Sequence, residues 1–191
     1  MGISGSSQVG LKTGVCTSTT RPSAPYVGQT IYESDTGSFL VYYGSTTGWK
    51  PPWGQPWGSI SYASTPSNVS VKNGNILTST IGVLNNRRYR IHGHCNSFIS
   101  TVASDVASVS IVVGGTVIQA TNDGQVSGII GGFGVDVVGY YTATATNASL
   151  GCNLYNITSG TGTHTFSAAA TTPISIAVED IGPAVSTAPT S

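Results

Sequence analysis

Charge is what this chain has least of. Lys, Arg, Asp and Glu make up 7% of its 191 residues, seven basic against seven acidic, where an average soluble domain carries about 25%. So sparse and balanced a set creates no long-range field, and counterion release contributes little to any association. Nucleic acid is therefore not expected as a partner. With one methionine and few Lys or Glu residues, the chain also lacks what usually fills exposed helical faces. Cysteine is scarce: Cys16, Cys95 and Cys152 form no CxxC pair and are odd in number, so they make neither a zinc site nor a complete disulfide framework. They read as free thiols, with Cys95 and Cys152 able to pair only if their strands present matching Cβ geometry. No stretch approaches the length of a membrane span, and Met1 to Gly5 has no basic region leading into an apolar run. Folding in a cytoplasm, without export or membrane insertion, is the expectation.

What is present is Gly, Ser and Thr at the polar positions and Val, Ile, Thr and Tyr elsewhere, a composition that favours pleated strands and tight turns. Near-zero net charge removes the repulsion that keeps molecules apart. A component of a larger assembly escapes that penalty.

Along the chain, residues 1–25 read as an extended arm ending in Arg21-Pro22-Ser23-Ala24-Pro25, too poor in apolar groups to bury itself against its own body. Residues 26–58 form a β-hairpin docking module and its linker. Thr30-Ile31-Tyr32-Glu33 and Ser38-Phe39-Leu40-Val41-Tyr42-Tyr43 flank the turn Ser34-Asp35-Thr36-Gly37, whose Asp and Gly suit its dihedral demands. Pro51-Pro52-Trp53-Gly54-Gln55-Pro56-Trp57-Gly58 then forbids helix and marks the junction. Residues 59–183 carry short strand candidates split by turn clusters: Val69–Val71, Tyr89–Cys95, Val106–Val113, Val117–Ala120, Val135–Thr142, Leu150–Ile157, His164–Ala168 and Ile174–Val178. About eight strands without amphipathic helices are the signature of a sandwich or jelly roll. Residues 184–191 are a short polar tail. The fold class expected is all-β: an extended arm and small β-hairpin module, then a jelly-roll-like β-sandwich.

Candidate chemistry is thin. His92, His94 and His164 are the three imidazoles, and none sits in a nucleophile motif. His92 and His94 share a strand face at a spacing that can chelate a metal, with Asp105 or Asp123 as further ligands, or can face their copies across a trimer axis. The simpler reading makes Arg88, Arg90, His92 and His94 the polar face of a strand whose other face holds Tyr89, Ile91 and Cys95. Glu179 and Asp180 are adjacent, so on a strand they point to opposite faces and cannot flank one sugar. The run Gly131-Gly132-Phe133-Gly134 lacks a phosphate loop's lysine and following helix; with its neighbours over 127–135 it suits a close contact between subunits. Trp49, Trp53 and Trp57 offer a sugar-stacking platform, or pin the linker against a domain or partner. No catalytic residue, cofactor or metal is predicted, and the chain is not expected to be an enzyme.

Two stretches resemble a known family. Arg21-Pro22-Ser23-Ala24-Pro25-Tyr26-Val27-Gly28-Gln29, then Ser34-Asp35-Thr36-Gly37, Val41-Tyr42-Tyr43-Gly44 and Gly48-Trp49, resemble a module of tailed-phage minor tail and virion proteins, notably in phages of actinobacteria. Trp57-Gly58 leading through Arg88-Tyr89-Arg90-Ile91 to Ile176-Ala177-Val178-Glu179-Asp180-Ile181-Gly182-Pro183 is similar to the β domain that follows this module. The resemblance implies a virion protein assembled in the host cytoplasm, a homotrimer bound to other tail or capsid proteins. Its N-terminal portion would attach to the particle and its β domain face outward, stabilising the particle or touching a host-surface glycan. A minor tail or tail-tip role comes first; capsid decoration or a head fibre is the alternative, and a carbohydrate-binding module a second. Residues expected at particle or subunit contacts are Arg21, Pro22, Tyr26, Tyr32, Trp49, Trp53 and Trp57, with Arg90, His92 and His94 as a surface or axis cluster.

Overall fold

The computed structural model describes residues 13–102, 105–121 and 134–184. Asp123, most of the glycine-rich run from 127, the first part of the arm and nearly all of the tail lie outside these residues. The chain divides into two compact units between Trp53 and Gly54, inside the Pro51–Gly58 segment. No described residue is helical.

The first unit is a four-stranded sheet in the order β1 (Gly14–Cys16), β2 (Thr30–Glu33), β3 (Ser38–Tyr42), β4 (Trp49–Lys50). The expected hairpin is β2 and β3, with Glu33 opposite Ser38 and Gly37 at φ 66°, a left-handed conformation that glycine adopts without strain. The arm departs from expectation, because β1 pairs in parallel with β2, Val15 opposite Tyr32. Polar bonds supply what apolar burial does not. The Arg21 guanidinium pairs with the buried Glu33 carboxylate, which also accepts from Thr36 Oγ1 at 2.8 Å. Ser18 donates its N–H to Asp35 at 2.9 Å. Arg21 and Thr36 together hold the Glu33 carboxyl below its ordinary value, against an opposing effect of burial.

The second unit contains β5 (Gly58–Thr65), β6 (Val69–Val71), β7 (Gly74–Val83), β8 (Arg87–Cys95), β9 (Ser97–Ser100), β10 (Val106–Val113), β11 (Thr116–Thr121), β12 (Val135–Thr142), β13 (Asn147–Ser159), β14 (His164–Ser167) and β15 (Ile174–Pro183). Two four-stranded sheets run in the orders β12-β8-β15-β5 and β11-β10-β13-β7. The first and last strands, β5 and β15, lie side by side in one sheet, and the next long strands inward from each end, β7 and β13, do so in the other. That winding is a jelly roll. The three short strands, β6, β14 and β9, pair in a third sheet. Each lies in a connection that crosses between the large sheets. The body begins at 54, earlier than the expected 59, because Gln55 and Trp57 are bonded into it, as described below.

The core lies between the two large sheets. Tyr89, Ile91, Val137, Ile176 and Val178 from one face Val109, Ile111, Val113, Ile81 and Leu154 from the other. Alternation puts Arg88, Arg90 and His92 on the outside of β8, as the residue pattern requires. Cys95 and Cys152 are both buried and unpaired, and burial pushes each thiol up to about 12. They behave as small apolar groups.

Candidate functional site

The contact residues expected in the first unit divide into two kinds. Arg21 is committed to Glu33, and Trp49 stacks at a tilt on Tyr42 with ring centroids 5.3 Å apart. Trp53 lies 6.4 Å from Tyr43 in the same sense. These are internal contacts. Tyr26 and Tyr32 are exposed, whereas Pro22 is half-buried. The register adds what the sequence reading missed: Val15, Tyr32 and Phe39 stand opposite one another on β1, β2 and β3, exposed by 73%, 42% and 44%. Three large apolar side chains form one continuous row across a sheet face. Val15 belonged to the arm and Phe39 to a hairpin of unknown facing, so their alignment was not visible in the residue order.

Trp57 belongs to the body. Its ring lies 3.7 Å from the Arg87 guanidinium carbon, and Arg87 is wholly buried. Arg87 Nε donates to Asp180 Oδ2 at 2.6 Å and Nη2 to Asp180 Oδ1 at 2.5 Å, while Nη2 also reaches the Gln55 carbonyl at 2.8 Å. Trp57 thus pins the linker by stacking on a buried ion pair. A sugar platform shared by the three tryptophans is not what this ring forms.

The cluster of Arg90, His92 and His94 lies on the outer face of the β12-β8-β15-β5 sheet. His94 is opposite Asp136 and Ser175, His92 opposite Val138 and Ala177, and Arg90 opposite Tyr140 and Glu179. His92 Nε2 and His94 Nδ1 each lie 3.0 Å from the same oxygen, Asp136 Oδ1. An ionised carboxylate only accepts, so both rings turn an N–H toward it. The His94 bond lowers the Asp136 carboxyl below its ordinary value, burial opposes, and His92 adds to the lowering. Asp105, weighed above as a metal ligand, is instead buried and accepts the Gly162 N–H at 2.5 Å. Among the described residues no group of three or more His, Cys, Asp and Glu side chains is arranged to hold a metal ion.

Below that row, Arg90 Nη2 donates to Glu179 Oε2 at 2.5 Å, and the Arg88 guanidinium carbon sits 4.9 Å from the Tyr140 ring centroid. Arg90, His92, Val138, Tyr140, Ala177 and Glu179 line an open depression of about 300 Å³. It exists because Ala177 is the smallest side chain of its row, between His92 and Tyr62. Glu179 and Asp180 point to opposite faces as expected, one to solvent and one to the interior.

His164 is the imidazole the surface does not use. It is buried beside Phe98 and Phe166 in the small sheet, with Nδ1 3.2 Å from both Asn156 Nδ2 and Thr158 Oγ1. Its Nε2 has no hydrogen-bond partner among the described residues. Burial lowers its pKa, and the Asp105 charge acts in the opposite direction. The unfolded chain therefore binds the proton first, near pH 6.5. The stability that neutral His164 contributes is complete above that pH and is lost as pH falls below it. Denaturation midpoints are expected to drop between pH 7.5 and pH 5 in the parent and to drop less in His164→Gln. Parallel pH profiles would remove the assignment.

Neither a family model nor a curated protein matches the chain. Among solved structures, the infectious bursal disease virus VP2 subviral particle matches with a TM-score of 0.41 and 11% identity, over 85% of this chain and 46% of that one. The Gt strain of the same virus gives 0.29 and 12%, over 76% and 49%. The Gx strain gives 0.28 and 11%, over 76% and 47%. The chain spans about half the length of each.

Proposed function

We propose that the chain is a non-enzymatic structural protein of a virus particle, a homotrimer of the tail or tail tip that docks through its N-terminal unit and exposes its jelly-roll body. The observation that carries this reading is the row Val15, Tyr32 and Phe39. A small sheet that keeps three large apolar groups in water loses the burial energy of each, about 1.5–3 kcal/mol for a side chain fully covered. Such a patch marks a protein contact. Two further features support it: the jelly roll, an architecture shared by capsid and lectin domains, and the near-absence of charge, which an assembled component tolerates. The Arg21-to-Gln29 motif and its Asp-Thr-Gly turn support a tailed-phage particle by resemblance. Capsid decoration remains the alternative location.

Particles of the encoding virus are expected to contain the chain in multiples of three, with a label on the body appearing along the tail or at its tip. Label over the faces or vertices of the head favours decoration, and absence from purified particles overturns the proposal. Tyr32→Glu with Phe39→Glu is expected to abolish incorporation while the isolated protein keeps its β-sheet circular dichroism. Unchanged incorporation would remove the docking row, and sedimentation as a stable monomer would remove the trimer.

A further inference from the structure

We propose that the depression on the outer face of β12, β8 and β15 binds a neutral oligosaccharide, with a sugar ring seated over Ala177 against Tyr140 and hydrogen-bonded by Arg90, Glu179 and His92.

The argument begins with what lines the hollow. A pyranose offers a polar rim of adjacent hydroxyls and apolar patches of C–H bonds, so its receptor needs a flat apolar wall and fixed polar groups at the edge. Tyr140 supplies the wall. It is 52% exposed, and Arg88 beside its ring holds it in place, which reduces the side-chain entropy lost on binding. Ala177 gives the floor its depth, and Val138 extends the apolar lining.

The polar groups are already organised. Arg90 and Glu179 form one donor–acceptor pair at 2.5 Å, which sets a donor beside an acceptor for two neighbouring hydroxyls, one accepting and one donating. His92 is oriented by its bond to Asp136, leaving its other ring nitrogen for a third hydroxyl. Ligand sites show this combination of an apolar lining with a few convergent polar groups.

Local charge selects the class of ligand. Arg88 and Arg90 are matched on this face by Asp136 and Glu179, so an anionic glycan or a phosphate backbone gains no net attraction. A protein surface lying flat over the face would have to strip water from the Arg90–Glu179 pair and from Asp136, a cost that exceeds the return unless each group is re-paired. A sugar substitutes hydroxyl for water, group by group. The volume of about 300 Å³ is at the lower limit for ligand pockets, about 300–1,000 Å³, and its openness to solvent fits the terminal rings of a glycan held weakly and made effective by several copies on one particle.

This inference rests on the particle reading for its setting alone. It is tested on the isolated 191-residue chain, so its failure and the failure of that reading are separable. The isotope-labelled chain is titrated with chitotriose, maltotriose, cellotriose and a β-galactotriose, with sialyllactose as the anionic comparison. At least one neutral trisaccharide is expected to give saturable amide shifts confined to β8, β12 and β15 around Arg90, Ala177 and Tyr140, with millimolar affinity. Tyr140→Ala is expected to weaken that binding about tenfold and Glu179→Gln severalfold, both with otherwise unchanged spectra. Three results would overturn the proposal: no saturable shift on these strands with any neutral sugar at tens of millimolar, stronger binding of sialyllactose, or full affinity in both variants.

Discussion

Replacing Asp180 with alanine is expected to lower unfolding free energy by about 3–5 kcal/mol, because it leaves the Arg87 guanidinium buried without a counter-charge. Arg87 and Asp180 are each essentially inaccessible to solvent, and both carboxylate oxygens are engaged by the guanidinium, one of them also by the Gly182 N–H at 2.9 Å. The loss is about a fifth or more of what holds an ordinary domain together, about 5–15 kcal/mol. The neighbouring pair supplies the control. Glu179 precedes Asp180 on β15 and meets Arg90 at the same 2.5 Å, yet it lies in solvent, where exposed pairs are worth about 0–1 kcal/mol. Glu179→Ala is expected to cost less than about 1 kcal/mol. Urea denaturation of the two variants checks this, and equal losses would show that burial does not separate the pairs. Arg87→Met with Asp180→Leu is expected to recover most of the lost stability, since it removes both charges together. The same double change takes from Trp57 the cation it covers, so the linker segment before β5 is expected to become more accessible to protease.

The second large effect lies where β8 packs against Leu154 of the opposite sheet. Gly93 sits in the middle of β8 with its α-carbon toward the opposite sheet, and a Cβ there would overlap Leu154 Cδ2 and stand 3.1 Å from Val137 Cγ1. Leu154 fills the space that glycine leaves open. Leu154→Ala is expected to cost about 2–5 kcal/mol through lost burial and the residual cavity. Gly93→Ala is expected to cost about 1–3 kcal/mol, because the leucine it displaces is wholly buried. In the double variant the new methyl occupies part of the vacated space. Its loss is expected to fall short of the sum of the single losses by about 0.5–3 kcal/mol, a coupling that denaturation midpoints measure. Strict additivity would mean that the two positions do not share that volume.

The strands that were legible in the residue order are those whose alternation runs unbroken. Val106–Val113 and Val135–Thr142 were delimited correctly, and β8 was right in facing and in its end at Cys95, though it begins at Arg87, two residues before the expected Tyr89. The two long strands that were not seen, β5 and β7, are both edges of their sheets and both carry a register shift. On β7 the inward residues are Ile76 and then Ile81 and Val83, a change of parity made at the irregularity opposite Leu154 and Tyr155. No period of two survives such a slip. On β5 the shift falls opposite Val178 and Glu179, in a run of Ser and Thr with few apolar residues to betray it. β1 was missed for a different reason, since its partner is reached through backbone bonds and polar side chains that carry no hydrophobic signature.

The surface cluster was half legible. Alternation placed Arg90, His92 and His94 on one face, but their acid partners are Asp136 and Glu179, about 40 and 90 positions away in the chain. Only the strand order brings them together. The buried pair was invisible for the same reason, with Asp180 read as one of two adjacent acids and Arg87 not singled out at all. Trp57 was read as part of a sugar platform or as a pin for the linker; in the structure its ring lies on that pair.

Those same irregular edges bear on how a neutral β protein avoids pairing with its own copies. Three of the four outer strands of the large sheets, β5, β7 and β11, carry or face a register shift, so the ladder of N–H and C=O groups each presents is interrupted partway along. A second molecule cannot zip onto a broken template for more than a few residues, which blocks the growth of cross-β stacks from folded protein. Geometry takes the place of electrostatic repulsion as the safeguard, and it does so without adding charge to a surface that carries little.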